Sequence, residues 1–569
     1  MTFPITIDGA RVEVSLDQTV LSAARTLGLD IPTLCYLEKC GPLNSCLVCV
    51  VKINGKLVPS CGTKVQPDMV VESETEEVHE ARRTALELLF SDHVGDCLSP
   101  CNRLCPLGLN IPVMIRQIQA GKLVEATSTV RGALPLAGVL GRLCHHPCEQ
   151  GCRRGSWDDP AAIRDMERFV TDWQLQKSLP EGTSSCESPS IRFGVSHSDG
   201  EPLKSGNLTG LITSPPKSGT PNLQPKPASG KSVAIVGAGP TGLAAAYYLA
   251  RAGHGVTVVD RNPSPGGTLR SVSEEQLPSA ILAAETDLLS AAGVEFKLGV
   301  ALGVDVTIDG LSRGFDAILL TIGELAPGEA EKLELPGAAN ALKADPNTCQ
   351  TPLPKVFAAG AVVKPVKQLV RAMAEGRAAA ECVNRFLSGQ QVRRPEKIFS
   401  SIMGRLDSGE LRQFLATASP GGCVTPCDRC GGFSPPEAAT EAARCLHCDC
   451  RSSGNCLLQH YAQVYGAEAG RFRGERRPFE QHLQPGGIIF EPGKCILCGI
   501  CVKLTELARE PLGLTFIGRG FDVRIGAPMN HTIEEGLREV AAECVRQCPT
   551  GALAWGEMLK QPNWGTPDR

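Results

Sequence analysis

Apolar residues with the spacing of strands and of a helix follow one another in the segment Lys231–Arg270. An uninterrupted apolar run, Val233–Val236, predicts a buried parallel strand that leads into a glycine-rich turn. Apolar side chains then recur at helical spacing as far as Gly253, and a second run, Gly255–Val259, predicts another strand. The order of strand, turn, helix and strand is typical of a βαβ unit in a parallel sheet.

The turn between these elements has a glycine at each position that a bound dinucleotide requires. Gly237 permits the tight turn, Gly239 lets the backbone approach a pyrophosphate, and Gly242 lets the helix pack closely on the strand. Asp260, 23 residues after Gly237, ends the second strand, where a carboxylate can accept a hydrogen bond from a ribose hydroxyl. The helix N-terminus faces the phosphates with free N–H groups. The segment therefore predicts a dinucleotide site in a Rossmann-like domain.

Other apolar patterns predict further regular elements. Alternating residues at Ile5–Ile7 and Val12–Val14 flank an Asp-Gly pair, which predicts a hairpin. Further elements are predicted at Val78–Phe90, Ser279–Ala292 and Arg371–Phe386 (helices) and at Val294–Lys297 (a strand).

Composition adds a strong chemical constraint. The chain has 569 residues, enough for about four domains, and 26 of them are cysteines, many in tight CxxC and CxxxC clusters. In a chain of this size without a signal sequence, such spacing indicates metal ligation in a reducing compartment, so we expect a cytoplasmic location. The net charge of −4 and the lack of a transmembrane-length apolar run argue against nucleic-acid partners and membrane insertion.

The first cysteine group lies in residues 1–80 and has the pattern C-x10-C-x2-C-x11-C. Its members are Cys35, Cys46, Cys49 and Cys61. Four thiolates with a close CxxC pair predict a [2Fe–2S] cluster, with zinc as the alternative, and Cys40 inside the loop is not expected to bind. The spacing closely resembles the N-terminal ferredoxin domain of the large iron–sulfur subunit of complex I and of related hydrogenase and formate dehydrogenase subunits. The resemblance implies a β-grasp [2Fe–2S] domain.

Residues 81–180 carry a second set of closely spaced cysteines. The stretches CNRLCPLGLNIP, GRLCHHPCEQGCRRG and DDPAAIR resemble the helical two-cluster domain of the glutamate synthase small subunit and dihydropyrimidine dehydrogenase. The resemblance implies two [4Fe–4S] clusters. One would take Cys97, Cys101 and Cys152, and the other would take Cys105, Cys144, Cys148 and the side chain of Glu167.

The fourth ligand of the first of these clusters is open. The family has a cysteine a few residues before the position of Cys97, and this chain has none. His93 is the candidate, because an imidazole can replace a thiolate on iron and because His-x3-Cys resembles the His-Cys segment of complex I. The alternative is a surface histidine beside a cluster with three protein ligands.

Two further segments decide which dinucleotide is expected. Pro265–Arg270 (PGGTLR) and the strand Val356–Gly360 resemble the flavin site of the glutamate synthase small subunit. The resemblance implies FAD rather than NAD, and it implies as binding residues Gly266, Gly267, Arg270 and Gly360. The chain departs from that family at Ala361, where the family has an aspartate that contacts the flavin.

The same family inserts a second nucleotide-binding unit for NAD(P)H between the two halves of its FAD domain. Here Ala317–Gly323 ends the first half, and Pro352–Gly360 begins the second about thirty residues later. One βαβ unit alone needs that length. We therefore expect that the chain keeps FAD and has no NAD(P)H site of its own.

Residues 396–470 contain another cysteine-rich stretch. Its members are Cys423, Cys427, Cys430, Cys445, Cys448, Cys450 and Cys456. The segment Glu441–Leu446 resembles one that precedes clusters in glutamate-synthase-like proteins. We expect a [4Fe–4S] cluster on the last four cysteines, and zinc bound with Cys427 and Cys430 is the alternative.

Residues 471–569 contain parts of a two-cluster ferredoxin motif. One run of cysteines begins at Cys495, and another ends at Cys548. In two-cluster ferredoxins the fourth cysteine of each run binds the other cluster. The first run has Thr505 at that position and the second has lost its first two cysteines, so we expect Cys544 to be free. One [4Fe–4S] cluster would remain, on Cys495, Cys498, Cys501 and Cys548. The segment also resembles the ferredoxin domain of complex I and formate dehydrogenase large subunits.

Together these patterns predict a multidomain α/β and α+β protein. The expected parts are a β-grasp ferredoxin domain (1–80), a helical Fe–S domain (81–180), a disordered linker (181–230), a Rossmann-like FAD domain lacking the NAD(P)H insertion (231–395), a Cys-rich segment (396–470) and a C-terminal ferredoxin-like domain (471–569).

The predicted function is electron transfer by FAD, one [2Fe–2S] cluster and three or four [4Fe–4S] clusters, in one subunit of a soluble oxidoreductase. We expect no catalytic side chains, and by resemblance the partners would be redox subunits of NAD(P)H, hydrogenase or formate dehydrogenase type. One alternative is a self-sufficient NAD(P)H-dependent oxidoreductase of glutamate synthase small-subunit type. Another is a non-catalytic Fe–S scaffold with an empty flavin fold, suggested by Ala361.

Overall fold

The computed structural model describes residues 2–178 and 227–556, except 334, 339–340, 429–430 and 453. The predicted linker 181–230 lies almost wholly outside the described residues, and Cys430 lies outside them as well. None of the described helices is both long and apolar enough to span a bilayer.

The N-terminal domain is a mixed sheet with a helix packed on it. Its elements are β1 (Thr2–Ile7), β2 (Ala10–Ser15), α1 (Val20–Thr26), β3 (Tyr36–Leu37), β4 (Gly41–Pro42), β5 (Val50–Ile53), β6 (Lys56–Pro59), β7 (Val70–Glu72) and α2 (Glu76–Ser91). The strand order is β2-β1-β7-β5-β6. Ile5 pairs with Val12 across the turn, which confirms the predicted hairpin. The side chain of Thr75 caps α2, whose far end leads to the first cluster motif of the next domain.

A helical region follows and shares its core with the segment for which the sequence predicts FAD, residues 231–395, which we call the flavin domain. Its helices are α3 (Pro100–Leu104), α4 (Ile111–Gln119), α5 (Leu123–Ala133), α6 (Ala137–Leu143), α7 (Pro147–Gln150) and α8 (Ile163–Ser178). Leu109, Met114 and Val139 of this region belong to one buried apolar cluster with Leu243 and Met373 of the flavin domain. The two regions therefore bury their apolar faces against each other.

Residues 231–387 form a Rossmann-like parallel sheet. Its elements are β8 (Ser232–Val236), α9 (Pro240–Arg251), β9 (Gly255–Asp260), α10 (Ser279–Ala291), β10 (Val294–Leu298), α11 (Ile308–Gly314), β11 (Ala317–Leu320), α12 (Glu329–Lys332), β12 (Gly337–Ala338), β13 (Ala341–Leu342), β14 (Val356–Ala358) and α13 (Leu369–Leu387). The order β10-β9-β8-β11-β14 places the change of direction between β8 and β11, where open α/β sheets bind ligands. The predicted strand–turn–helix–strand unit is confirmed.

The connection between β11 and β14 is short and irregular. The described part of residues 321–355 holds only the one-turn helix α12 and the two-residue strands β12 and β13. A nucleotide-binding unit needs full strands and a crossover helix. The described residues of this connection contain no such unit.

The C-terminal part folds back over the N-terminal half. Its elements are α14 (Ser408–Leu415), α15 (Pro435–Ala442), α16 (Leu457–Val464), β15 (His482–Leu483), β16 (Ile488–Phe490), α17 (Ile500–Leu507), β17 (Thr515–Ile517), β18 (Arg524–Gly526), α18 (Ala541–Gln547) and β19 (Leu553–Trp555). Leu86 and Phe90 of α2 share a buried cluster with Leu458 of α16 and with Ile500 of α17. Cysteines that are hundreds of residues apart in sequence are thereby brought together.

Candidate functional site

The cysteines predicted for a [2Fe–2S] cluster converge in the N-terminal domain. The Sγ atoms of Cys49 and Cys61 lie 3.3 Å apart, and the thiol of Cys35 contacts those of Cys46 and Cys61. Hydrogen bonds within the group lower the pKa of Cys35 and Cys49 and raise the pKa of Cys46 and Cys61. We call these four residues the N-terminal site.

A second group, the C-terminal site, consists of Cys495, Cys498, Cys501 and Cys548. Burial, followed by the charges of the other members, raises the pKa of Cys501 well above its ordinary value. Two of the members lie at helix ends. Cys501 is in the first turn of α17, and Cys548 follows the last residue of α18. Cys544 lies beside this group, with its Sγ atom 4.0 Å from the carbonyl oxygen of Cys501.

A third group, the glutamate site, combines Cys105, Cys144, Cys148 and Glu167. Cys105 and Cys144 lie at the C-terminal ends of α3 and α6, and Cys148 lies in α7. Glu167 of α8 is 5 % exposed, and burial together with the nearby Glu149 raises its pKa to about 8. The charge of Glu167 in turn raises the pKa of all three thiols, so the four predicted side chains face one another.

A fourth group, the bridging site, joins two distant parts of the chain. It contains Cys101, Cys152, Cys445 and Cys448, which line one small cavity together with the apolar side chains of Pro112 and Ile115. Burial and the charges of Cys448, Cys445 and Cys152 raise the pKa of Cys101. The sequence-based sets had placed Cys101 and Cys152 with Cys97, and Cys445 and Cys448 with Cys450 and Cys456. The structure divides these residues differently.

The remaining members of those sets form a fifth group, the histidine site. Its cysteines are Cys97, Cys450 and Cys456, and the candidate fourth donor is His93, whose Nε2 atom lies 3.2 Å from the position of a Cβ atom on Gly95. The backbone N–H of Cys450 donates to the carbonyl of Cys97 at 3.4 Å, and the charges of Cys450 and Cys97 add to burial in raising the pKa of Cys456. His93 follows α2, and its enclosed Nδ1 atom has no hydrogen-bond partner. Burial and then the charge of Lys494 lower the pKa of His93 to about 3, which keeps the imidazole neutral and able to bind a metal.

Buried ion pairs explain why the segment around Cys448 lies against the helical region. The guanidinium of Arg116 on α4 donates to both carboxylate oxygens of Asp449, the shorter distance being 2.5 Å. Arg444 donates to Asp158 at 3.1 Å, and Arg154 donates to the carbonyl of Arg444, also at 3.1 Å. Asp449 thus anchors the backbone between Cys448 and Cys450, which belong to different groups.

Direct contacts join the five groups in a single order. Ser45, beside Cys46 of the N-terminal site, donates to the carbonyl of Cys498 at 3.4 Å. The thiol of Cys456 donates to the carbonyl of Pro549, the residue that follows Cys548. The C-terminal site therefore lies between the N-terminal site and the histidine site.

The order continues towards the flavin domain. The histidine site and the bridging site share the segment 448–450, and Cys105 of the glutamate site donates its N–H to the carbonyl of Cys101 at 3.2 Å. Beyond Cys105, the guanidinium of Arg377 on α13 donates to the carbonyl of Leu107 at 2.5 Å and lies over the ring of Tyr248 on α9. The glutamate site is thus the group nearest the flavin fold.

The glycine-rich turn of the flavin domain leaves no room for side chains on its protein side. A Cβ atom at Gly237 would lie 2.4 Å from the carbonyl oxygen of Thr321, and one at Gly242 would lie 1.9 Å from that of Gly237. A Cβ atom at Gly239 would meet no heavy atom within 4 Å. Gly239 therefore faces open space at the N-terminus of α9, as a pyrophosphate site requires.

The neighbouring segments complete this cradle. Gly266 donates its N–H to the carbonyl of Ala238 at 2.8 Å, and a Cβ atom at Gly267 would lie 2.9 Å from the Cα atom of Gly239. Gly360 has φ +80°, and its Cβ atom would strike the hydroxyl of Thr241. The predicted glycines are therefore brought together, whereas the side chain of Arg270 is exposed.

Asp260 is held by the turn itself. Its Oδ2 atom accepts the N–H of Ala238 at 2.6 Å, and its Oδ1 atom accepts the N–H of Asn262 at 2.7 Å. Oδ1 also accepts from Nδ2 of Asn262 at 2.8 Å, whereas Oδ2 has a second lone pair that can accept a hydrogen bond from a ribose.

The donor sets fit iron–sulfur clusters. Burial raises the pKa of Cys448 and of Cys495 to about 12, and iron would offset this by its preference for the thiolate. Each group offers four donors, which is the number of protein ligands that [2Fe–2S] and [4Fe–4S] clusters take.

Sequence reasoning missed two features of these sites. It missed the pairing of Cys445 and Cys448 with Cys101, although the resemblance of Glu441–Leu446 to a segment that precedes clusters was a usable signal. It also missed the buried pair of Lys494 and Glu491 beside the histidine site, for which a lysine next to a cysteine gives no distinctive signal.

Three family descriptions match separate parts of the chain. Residues 2–76 match a 2Fe-2S iron-sulfur cluster binding domain. Residues 71–179 match the dihydropyrimidine dehydrogenase domain II with its 4Fe-4S cluster. Residues 200–376 match the pyridine nucleotide-disulphide oxidoreductases.

Relatives from several bacteria resemble about two fifths of the chain. The NADP(+)-dependent formate dehydrogenase subunit beta of Moorella thermoacetica is 39 % identical over 40 % of this chain and 29 % of its own length. The NADPH-Fe(3+) oxidoreductase subunit beta of Geobacter sulfurreducens is 31 % identical over 40 % of this chain and 28 % of its own length. The glutamate synthase [NADPH] small chain of Mycobacterium tuberculosis is 32 % identical over 42 % of this chain and 41 % of its own length.

The chain thus spans less than half the length of each of these relatives. The predicted resemblance to glutamate synthase small subunits and to formate dehydrogenase subunits is confirmed. By its domain content the chain joins segments that match a 2Fe-2S cluster binding domain, a 4Fe-4S domain and the pyridine nucleotide-disulphide oxidoreductases.

Proposed function

We propose that this chain is the electron-transfer subunit of an oxidoreductase and connects an FAD site to a [2Fe–2S] site through a series of [4Fe–4S] sites. The observation that carries the proposal is the unbroken order of the five cysteine groups from the flavin fold to the N-terminal domain. A flavin exchanges electrons in pairs or singly, and iron–sulfur clusters carry them one at a time. The side chains of this protein hold these groups in sequence and enclose them.

The proposed ligand sets follow the five groups. The N-terminal site would hold the [2Fe–2S] cluster, and each of the other four groups would hold one [4Fe–4S] cluster. The histidine site would use the neutral His93 imidazole as its fourth donor, and the glutamate site would use the Glu167 carboxylate. This assignment gives four [4Fe–4S] clusters, the larger of the two numbers expected from the sequence, and it uses every predicted ligand.

The electron donor or acceptor beyond the flavin is proposed to lie on another chain. The described part of residues 321–355 offers too little structure for a nicotinamide-binding unit. The named relatives include a subunit of a formate dehydrogenase and a subunit of an NADPH oxidoreductase. We therefore propose a partner of NAD(P)H, hydrogenase or formate dehydrogenase type, which would meet this chain at either end of the cluster series.

A self-sufficient NAD(P)H-dependent reductase is the competing function, because residues 200–376 match a pyridine nucleotide-dependent family. The test uses the full chain purified without oxygen and without a partner. Iron and FAD are quantified, and flavin absorbance is followed in a stopped-flow instrument after NADPH or NADH is added.

The proposal expects bound FAD, about eighteen irons per chain for one [2Fe–2S] and four [4Fe–4S] clusters, and little flavin reduction by either nucleotide. Dithionite should reduce the same flavin, which controls for inactive protein. Rapid bleaching by NADPH or NADH would favour the self-sufficient reductase. Protein without FAD would overturn both functions and leave an iron–sulfur scaffold.

A further inference from the structure

Lys494 and Glu491 form an ion pair that is almost entirely enclosed by protein. Both side chains are 3 % exposed, and the ammonium of Lys494 donates to the Glu491 carboxylate. A buried ammonium is tolerated where a carboxylate is paired with it, as here. A fixed positive charge is therefore held inside the protein, where the effective dielectric constant is low.

The lysine side chain faces the histidine site rather than its own neighbour in sequence. From the position that a Cβ atom of Gly95 would take, the Cε atom of Lys494 lies at 2.7 Å and the Nε2 atom of His93 at 3.2 Å. The charge of Lys494 acts on His93, Cys97 and Cys450. It is not among the causes that shift the pKa of the adjacent Cys495, which belongs to the C-terminal site.

The carboxylate of the pair does not cancel this effect. The stem of Lys494 packs on Gly95 beside His93, whereas Oε1 of Glu491 accepts a second hydrogen bond, from Nε2 of Gln481 at 3.2 Å. The nearest other charge beside Cys97 is Asp96, and two guanidinium groups neutralise it, those of Arg103 and Arg153. The net field at the histidine site is therefore positive on the side of Lys494.

We infer that the Lys494–Glu491 pair raises the reduction potential of the cluster held by the histidine site, selectively over the cluster of the C-terminal site. The inference rests on the proposed function, since it requires a cluster on His93, Cys97, Cys450 and Cys456. Gain of one electron makes that site more negative, and a buried cation close to it stabilises the added charge. Lys494 is thus a potential-setting residue that touches neither substrate nor iron.

The test is a dithionite redox titration of the whole protein, followed by electron paramagnetic resonance. Dithionite supplies the electron, and the midpoint of each cluster signal is read separately. Lys494→Met removes the charge and keeps the apolar stem. The double variant Lys494→Met/Glu491→Gln removes the charge without leaving an unpaired carboxylate. Lys494→Arg keeps the charge, and Lys503→Met on the exposed side of α17 is the matched control.

We expect both variants that lose the lysine to lower the midpoint of the histidine-site cluster. The ratio of reduced to oxidised cluster at a fixed potential should fall at least tenfold, which corresponds to 59 mV for one electron. Lys494→Arg and Lys503→Met should leave this midpoint near that of the wild type. The signal of the C-terminal cluster should stay in place in all variants and serves as the internal reference.

The outcomes separate the two proposals. An unmoved midpoint in the double variant, or an equal shift of both clusters, would overturn this inference and leave the proposed function intact. If His93→Ala and Cys450→Ser each keep every cluster signal of the wild type, the histidine site itself is overturned, and the inference with it. If Lys494→Met loses iron, the double variant decides, because it contains no unpaired buried charge.

Discussion

Arg131 of α5 and Glu285 of α10 form a two-point ion pair across the junction of the helical region and the flavin domain. Nη1 of Arg131 lies 2.5 Å from Oε2 of Glu285, and Nη2 lies 2.9 Å from Oε1. Neither side chain is more than 2 % exposed. The same carboxylate accepts the N–H of Gly138, and the hydroxyl of Tyr247 donates to the carbonyl of Arg131. The pair is therefore the polar centre of the surface that sets the flavin fold against the glutamate site.

Glu285→Ala should destabilise the protein by about 3–5 kcal/mol, because it leaves the Arg131 guanidinium buried without its partner. Thermal unfolding measures the change, and loss of FAD on gel filtration reports whether the flavin domain separates. The matched control is Glu396→Ala, which removes an exposed partner from Arg393 and should cost no more than about 1 kcal/mol. Equal effects of the two substitutions would contradict the structural role of the pair.

Gly239→Ala should fold normally and bind FAD poorly. The added methyl group meets no protein atom within 4 Å, but it projects from the turn where the phosphates are expected. Gly314→Ala, which also meets no atom within 4 Å, is the control that should retain FAD. The FAD content of the purified proteins and their unfolding temperatures are compared. Full FAD occupancy in Gly239→Ala would exclude this turn as the phosphate site.

Cys445→Ser/Cys448→Ser should remove the same cluster that Cys101→Ser removes. The structure groups these cysteines, so each variant should lose one electron paramagnetic resonance signal, and it should be the same signal. Cys450→Ser should remove a different one. Cys423→Ser, at an exposed cysteine outside the five groups, is the control that should keep all signals. Loss of one common signal in Cys445→Ser and Cys450→Ser would instead support the grouping expected from local spacing.

The elements that sequence reasoning predicted depend on local pattern. The hairpin at Ile5 and Val12 and the turn at Gly237 were predictable because alternation, glycine spacing and helix periodicity act over a few residues. The four cysteines of the N-terminal site were predictable for the same reason, since their loop is contiguous. The residues of the glutamate site lie within one family pattern, which is confined to residues 105–167.

The bridging site and the histidine site depend on long-range contacts that the local spacing of the cysteines does not encode. Cys448 and Cys450 are two residues apart and look like ligands of one cluster, yet the Arg116–Asp449 pair holds the backbone between them so that they join different groups. Long-range packing of Leu458 against Phe90 decides which partners each cysteine meets. Lys494 likewise lies beside the histidine site and not beside its neighbour in sequence, Cys495, because its side chain packs on Gly95 of the N-terminal half.

Glu410 offers a pH-dependent test of how the C-terminal segment is held. Its carboxylate accepts hydrogen bonds from both Nη atoms of Arg476 and from the N–H of Phe479 at 2.7 Å. These bonds, that of Arg476 first, lower the pKa of Glu410 from 4.5 to about 2 against the opposing effect of burial. A lowered pKa in the folded state stabilises the protein fully above pH 4.5, and this stabilisation is lost as the pH falls towards 2.

Glu410→Gln should therefore lower the free energy of opening of α14 by about 3 kcal/mol at pH 7, by the linkage of pKa to stability. The cost should be the same at pH 6 and pH 8, where the carboxylate is ionised in both the folded and the unfolded chain, and it should shrink at pH 3. Amide hydrogen exchange of residues 408–415 measures the opening at each pH. The control is Glu506→Gln, which removes an exposed partner from Lys503 and should change the free energy of opening of α14 by less than about 0.5 kcal/mol. A cost of the Glu410 substitution that is as large at pH 3 as at pH 7 would mean that packing, and not the ionised pair with Arg476, holds α14 in place.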